Sequence, residues 1–429
     1  MSRLTSVNTR KRLLQLLQQL LMDIRGERRV AQQLQSNPLP TEKVVLLATG
    51  KAAASMARGA IQVLGERIVD GRIISKDGHC AEWGSALEAA TGIRCQEAGH
   101  PLPDARSLAA GEALVNWLSG LTERLTGEVT LLVLTSGGSS ALVEVLPQTV
   151  SLNDLVRLNQ WLLGSGLDIV AMNRIRQSVS CIKGGGLLAC VPARIALEQL
   201  IISDVPGDDP AMIGSGLFVP SAQNETDSQP LPALPDWVQA MQQAAKNTCP
   251  QHPAQSSERQ VHHRIIASNT LACEQLARQA RAAGMAVHLH REPLEGEAAR
   301  QGQIIAAYLR DQAAAGLHIW GGETTVVLPA QPGRGGRNQH LALAAALTLA
   351  GSEGITLLAV GTDGSDGPTD DAGAIVDGDT CRRGEAEGQD ARLALQQADA
   401  GRFLEAAGDL VNTGVTGTNV MDMVVAYKM

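Results

Sequence analysis

"EKVVLLATGKAAASMARGAIQVL" occupies Glu42 to Leu64. Val44 to Ala48 is a short, unbroken apolar run, the pattern of a parallel strand buried on both faces. Gly50 supplies a turn, Lys51 follows it, and an Ala-rich stretch continues as a helix. The same order returns in "GEVTLLVLTSGGSSALVEV", Gly127 to Val145, as a strand over Val129 to Leu134, a Gly/Ser turn and a helix. "ARIALEQLIISDVPGDDPAMIGSG" repeats it with the turn at Asp204 to Pro210. Strand, small-residue turn and helix in series predict a Rossmann-like, doubly wound α/β domain.

Further along, residues 218 to 260 are rich in Pro, Gln and Ser and read as a linker or surface insertion. A second, smaller α/β pattern follows. "HRIIAS" reads as a strand, 270 to 283 as a helix, "MAVHLHR" as a strand and 297 to 314 as a helix. "GLHIWGGETTVVL" reads as a strand turning into another, "GRGGRNQHLALAAALTLA" as loop and helix, and "TNVMDMVVAYKM" as a last strand. The domains are set at 1–240 and 241–429.

Composition narrows the function classes. The chain has 429 residues, 44% of them apolar, which suits two domains with sizeable cores. Aromatics make up only 2%, which argues against base-stacking surfaces for single-stranded nucleic acid. The formal charge is -8 and the basic residues are scattered, so no positive stripe marks a nucleic-acid groove. Seven cysteines without CxxC spacing read as buried or free thiols in a reducing compartment. No run has the length of a membrane span. At the N-terminus, Leu13, Leu16, Leu17, Leu20 and Ile24 fall on one helical face interrupted by glutamines, unlike a signal peptide. These features predict a cytoplasmic protein; a homo-oligomer is compatible with them.

In open α/β sheets, ligands bind beyond the carboxyl ends of the strands. The residues placed there are Lys51; Ser136, Gly137, Gly138, Ser139 and Ser140; Asp204, Asp208 and Asp209; Glu323 in "GGETT"; and Asp363 and Asp366 in "GTDGSDG". "KGGG" (Lys183, Gly184, Gly185, Gly186) and "GRGGRN", with Arg337 and Asn338, lie near them in type. Gly/Ser turns that enter helices aim N–H groups at anions. Mg²⁺ takes one or two carboxylates together with phosphate oxygens and water. Lys and Arg stabilise a transferring phosphoryl group. The inventory therefore suits a nucleotide phosphate with Mg²⁺. Asp377 and Asp379 read instead as turn residues, and His262 and His263 as surface residues. An EF-hand register, a Walker A GK[ST], a GxGxxG and a GxSxG are all absent from the sequence.

Taken in order, "GKAAASMARGA", "AGHPLPD", "LTSGGSSAL", "IKGGGLLA", "SDVPGDDPAMIGSG", "GGETTVVL", "GRGGRNQHLAL", "GTDGSDGPTDDAGA" and "GTNVMDM" resemble the class II glycerate kinases, the glycerate 2-kinase family with a C-terminal MOFRL domain. The resemblance runs from about residue 44 to the tail. It implies transfer of the ATP γ-phosphoryl to the 2-hydroxyl of D-glycerate with a divalent metal, usually magnesium. It also implies a MOFRL region over about 316–425, an active site in the cleft between two domains, and essential roles for Lys51 and Arg337. Family members are often labelled hydroxypyruvate reductase. This chain departs from the family pattern at "SGLF" (Ser215 to Phe218), Val415, His340, Ala171 and Ser178-Val179-Ser180. On this reading Lys51 and Arg337 neutralise phosphoryl charge, with Arg337 also able to grip the glycerate carboxylate. Ser136 to Ser140, Lys183, Gly184, Gly185, Glu323 and Asn338 line the nucleotide and substrate. Asp204, Asp208, Asp209, Asp363 and Asp366 serve the metal or orient the acceptor hydroxyl. The competing readings are an NAD(P)H-dependent hydroxypyruvate reductase and a non-catalytic sugar-acid sensor.

Overall fold

The computed structural model describes residues 2–167, 169–219, 233–249 and 261–429. It separates into two compact units, Gly26–Ile266 and Met1–Arg25 with Ala267–Met429. The boundary thus falls at 266/267 rather than 240/241, and the first helix belongs with the C-terminal unit. Of the polar stretch read as a linker or insertion, 220–232 and 250–260 lie outside the described residues; between them Asp236–Thr248 is a helix.

The Gly26–Ile266 unit is built on strands β1 (Lys43–Thr49), β2 (Ile68–Lys76), β3 (Cys95–Ala98), β4 (Val129–Thr135), β5 (Ala196–Ile202) and β6 (His262–Ala267), in spatial order β3-β2-β1-β4-β5-β6. The pairs β2/β3, β1/β2, β1/β4 and β4/β5 are parallel. Strands β1 and β4 are central, and this is why their runs are apolar without alternation. Val45, Leu47, Leu131 and Val133 pack with Leu114, Trp117 and Leu118 of the helix Ala105–Ser119, while Val44, Leu46, Leu132 and Leu134 are equally buried. The chain leaves β1 toward β2 on one side and enters β4 on the other. The strand order reverses there, which opens a crevice at the carboxyl ends of β1 and β4.

In the other unit, β7 (Val287–Leu289), β8 (Gly316–Gly322), β9 (Ile355–Gly361), β10 (Gly373–Asp377), β11 (Leu410–Val411) and β12 (Asp422–Lys428) are ordered β11-β10-β9-β12-β8-β7. Only β7/β8 is parallel; β12 runs antiparallel between β8 and β9. Asp422, its first residue, is registered against Gly322 and Gly361, the last residues of β8 and β9. Gly322, the last residue of β8, bridges Leu294, and Thr325 beyond it bridges Glu297, in place of a second strand. No described helix is long and apolar enough to cross a membrane.

Cysteine reading is corrected at four positions. Cys80 is bonded to Cys95 and Cys181 to Cys249, leaving Cys190, Cys273 and Cys381 as thiols. Folding brings these partners together across 15 and 68 residues, separations that carry no spacing signal in the sequence.

The N-terminal helix Ser2–Ile24 buries Leu13, Leu17, Leu20 and Ile24, as its periodicity requires. Its Arg10 adds a specific tether, with Nε 2.8 Å from Asp377 Oδ2 and Nη1 2.8 Å from Asp409 Oδ1. Arg383 reaches the same two carboxylates. Asp377, read from sequence as a turn residue, is therefore part of a buried ion network. Burial pushes its pKa up, but Arg10 and Arg383 more than offset this and hold it below the usual carboxylate range. Its contribution to stability is present above that range and fades as pH falls through it. Arg10→Met should lower stability at neutral pH by on the order of 2 kcal/mol, less than a fully stranded pair because Arg383 remains. Urea unfolding measures this; an unchanged midpoint would mean that the apolar face alone anchors the helix.

Candidate active site

In the Gly26–Ile266 unit the crevice is closed at its base by two interlocked turns. Ser136 N donates to Thr49 O at 3.0 Å, Lys51 N to Gly137 O at 2.9 Å, and Ala52 N to Ser136 Oγ at 3.0 Å. Gly50 sits at φ +114°, and a Cβ there would lie 2.2 Å from Ser136 Oγ, so the two turns meet only because position 50 has no side chain. His79 Nδ1 is 2.7 Å from the Lys51 carbonyl oxygen and fixes the backbone from the other side. Lys51 is half-buried at this switch point, with Gly138 beside it.

The serines divide by burial. Ser139 is buried, its hydroxyl donating to Ser136 O at 2.6 Å and accepting from Thr49 Oγ1 at 3.1 Å. Ser136 and Gly137 are buried as well, while Gly138 and Ser140 are half-exposed. Ser140 Oγ is 2.8 Å from Ser215 Oγ, which donates to Asn173 Oδ1 at 2.6 Å. Ser136 and Ser139 thus hold the turn in shape, and Gly138 and Ser140 are its half-exposed members.

The "KGGG" turn, read from sequence as a phosphate cradle, is held by contacts within its own unit. Lys183 is buried and its Nζ lies 2.5 Å from Glu144 Oε2. Glu144 also accepts from Ser180 Oγ and Val145 N. Gly184 N donates to Ser215 O and Gly185 N to Gly216 O, at 3.0 and 2.7 Å. The ammonium and both amides are engaged inside the protein.

The other unit carries a second cluster. Arg337 opens the helix Arg337–Leu349. Its Nε and Nη2 donate to the two Asp422 oxygens at 2.5 and 3.0 Å, and its Nη1 lies 2.5 Å from Glu323 Oε1. Burial alone would lower the Arg337 pKa; Asp422, then Glu323, raise it instead. Burial pushes the Asp422 carboxyl up while Arg337 pulls it back. Sequence reasoning missed Asp422, although it is the one charged residue entering the last apolar strand.

Asp366 has a structural task. Its Oδ1 accepts from Asn338 N at 3.0 Å and from Asn338 Nδ2 at 3.3 Å, and its Oδ2 accepts from Gln339 N at 2.8 Å. The helix start, with a glycine at its N-cap, receives its capping carboxylate from a loop 28 residues away. Read from sequence as a metal candidate, Asp366 has both oxygens on the helix amides. Asp363 Oδ1 accepts from Ser365 N and Oγ, both at 3.1 Å, and Asp209 Oδ1 accepts from Ala211 N at 2.9 Å. Among the described residues no three His, Cys, Asp or Glu are grouped to hold a metal. Mg²⁺ on a nucleotide needs only one or two carboxylates. The half-buried Asp204, Asp208 and Asp363 and the exposed Asp209 are of suitable chemistry for it.

A parallel sheet with a lysine at its switch point, and a mixed sheet with an arginine among carboxylates, define a two-unit α/β protein. A family model described as a domain of unknown function (DUF4147) matches residues 12–247, and the MOFRL family model matches residues 316–422. The chain belongs to the class II glycerate kinase family. It is 34% identical to a D-glycerate 2-kinase of Thermotoga maritima, over 90% of this chain and 91% of that protein. A relative from Agrobacterium vitis, 36% identical over 90% of this chain and 87% of its own length, carries a provisional hydroxypyruvate reductase name. A crystal structure of glycerate kinase from Thermotoga maritima superposes with a TM-score of 0.83 at 32% identity, covering 98% of this chain and all of that one.

Two substitutions test these assignments. Lys183→Ala strands the buried Glu144 and should reduce stability by about 3–5 kcal/mol; folded protein that merely binds nucleotide less tightly would restore Lys183 to the phosphate site. Burial pushes Asp366 up to about 7, against the pull of the Gln339 and Asn338 amides. The fold then holds a proton that the unfolded chain releases near the ordinary carboxylate range, so this contribution to stability declines as pH rises toward 7. Asp366→Asn should flatten that slope in thermal melts between pH 4 and 7; an unaltered slope would assign it to another group.

Proposed function

We propose that the protein is an ATP-dependent glycerate 2-kinase. The 2-hydroxyl oxygen of D-glycerate attacks the γ-phosphorus, the bond to the bridging β,γ-oxygen breaks, and the hydroxyl proton is released, giving 2-phosphoglycerate and ADP. The observation that carries this reading is Arg337, a half-buried guanidinium at a helix start held by buried Asp422. A fixed cation of this kind stabilises phosphoryl charge as it develops, without reorganising during the reaction. Lys51 supplies the second cation, as a point charge on a flexible stem that can follow a moving group. Gly138 and Ser140 line the anion side of the turn after β4. A divalent ion, when bound, would offset phosphate charge; Asp204, Asp208 and Asp209 would hold it in the Gly26–Ile266 unit, and Asp363 is a carboxylate of the same chemistry in the other unit. A cytoplasmic setting belongs to the same reading.

A reductase would need a dinucleotide seat, and the GxGxxG turn that approaches a pyrophosphate is missing from the sequence. Coupled ADP release with MgATP and D-glycerate tests the proposal, with Lys51→Ala as the blank and NADH with hydroxypyruvate in a parallel cuvette. Glycerate-dependent ADP release should appear in the wild type and fall about 1000-fold or more in the variant. NADH consumption without ADP release would replace the kinase with the reductase, and silence in both would favour a sugar-acid sensor.

A further inference from the structure

A guanidinium presents five N–H groups in one plane, so the partner on one edge decides which edge is left for a ligand. Asp422 takes the Nε–Nη2 edge of Arg337 side-on, with both oxygens engaged. Glu323 Oε1 meets Nη1, at the opposite end. The two carboxylates differ in freedom: the Asp422 side chain is 5% exposed and that of Glu323 39%. A surface carboxylate exchanges its partner for water at little cost, whereas a buried one that loses its cation is left as a stranded charge. Asp422 is also seated firmly, in register with Gly322 and Gly361 on its two neighbouring strands. The Asn338 side chain donates to it too. The amide of that same asparagine is anchored on Asp366. The arginine is thus held at both ends, its backbone by a capped helix start and its head by a strand terminus.

We propose that Asp422 is the positioning residue of Arg337: it locks the guanidinium with its Nη1–Nη2 end outward, so that an anionic group of the substrates is met end-on, at the edge Glu323 otherwise covers. The inference rests on the kinase reading and adds to it a residue that acts only through the arginine. It also removes one option for Arg337, a side-on grip on the glycerate carboxylate through Nε and Nη2, because that edge is already filled.

Glycerate-dependent ADP release by the wild type, Arg337→Ala, Asp422→Asn and the double variant tests it. Misdirecting a charge-stabilising group by an ångström lowers kcat/KM about 100-fold, which is the loss expected for Asp422→Asn. Loss of the guanidinium itself should lower it about 1000-fold or more. If Asp422 works through Arg337, the double variant matches Arg337→Ala within about 3-fold. A double variant showing the product of the two single losses would overturn the proposal. Added guanidinium ion gives a readout that a purely structural role would not move. It should restore activity saturably to Arg337→Ala, where the anionic seat of Asp422 remains, and not to the double variant. If Asp422→Asn does not fold, rescue of Arg337→Ala alone decides, and no saturable rescue of the folded variant counts against the inference. A silent wild type would instead bring down the kinase reading, and this inference with it.

Discussion

A carboxylate buried at the first residue of a central strand is tolerable only beside a fixed cation, and the C-terminal unit is arranged around that requirement at Asp422 and Arg337. The strand carrying Asp422 is inserted between two others whose last residues are glycines, and a Cβ at Gly361 would lie 2.7 Å from the Ser365 carbonyl oxygen of the loop that follows. The helix carrying Arg337 begins beside a glycine at which a Cβ would come within 2.3 Å of Asp366. Small residues let strand, helix and capping loop converge, and the ion pair compensates for bringing charges out of water. A side chain at Gly336 would push Asp366 away from the helix start that it caps.

The two lysines show what burial does to the meaning of a motif. Lys51 and Lys183 both stand next to glycine-rich turns, and residue type and spacing do not distinguish them. Lys183 is sealed against Glu144, a lone acid within the apolar "ALVEVL". Such a pair fixes how neighbouring segments pack, and its ammonium has no latitude to follow a reacting group. Lys51 is only half-buried, at the point where the strand order reverses. Exposure and topology, rather than the glycines, separate the catalytic candidate from the structural one.

What was legible in the sequence was what local physics writes there. Central parallel strands lack alternation because both faces are covered, so Val44 to Ala48 and Val129 to Leu134 could be read directly. Gly50 was readable as a turn, and the tail as a last strand. The rest was hidden because it depends on partners distant in sequence. Arg10 meets carboxylates 367 and 399 residues away, which is why the N-terminal helix could not be assigned to the C-terminal unit from its own pattern. Asp366 resembled a metal ligand because a capping carboxylate and a coordinating one look alike in a Gly/Asp loop. Asp422 was passed over because one acid before an apolar run carries no periodic signal.

These distinctions change the chemistry that the acid-rich loop after β9 can perform. Six aspartates between Gly361 and Thr380 suggested a generous supply of ligands. Asp366 is committed to helix amides and Asp377 to two arginines. Asp371 pairs with Arg334, and Asp379 with Arg382. Each commitment removes a carboxylate from the set able to meet a cation and fixes the backbone around those that remain. Asp363, half-buried two residues after β9, is itself engaged by Ser365 N and Oγ through Oδ1. A loop that looks like a metal site from composition is therefore in large part scaffold, its carboxylates spent on helix amides and arginines.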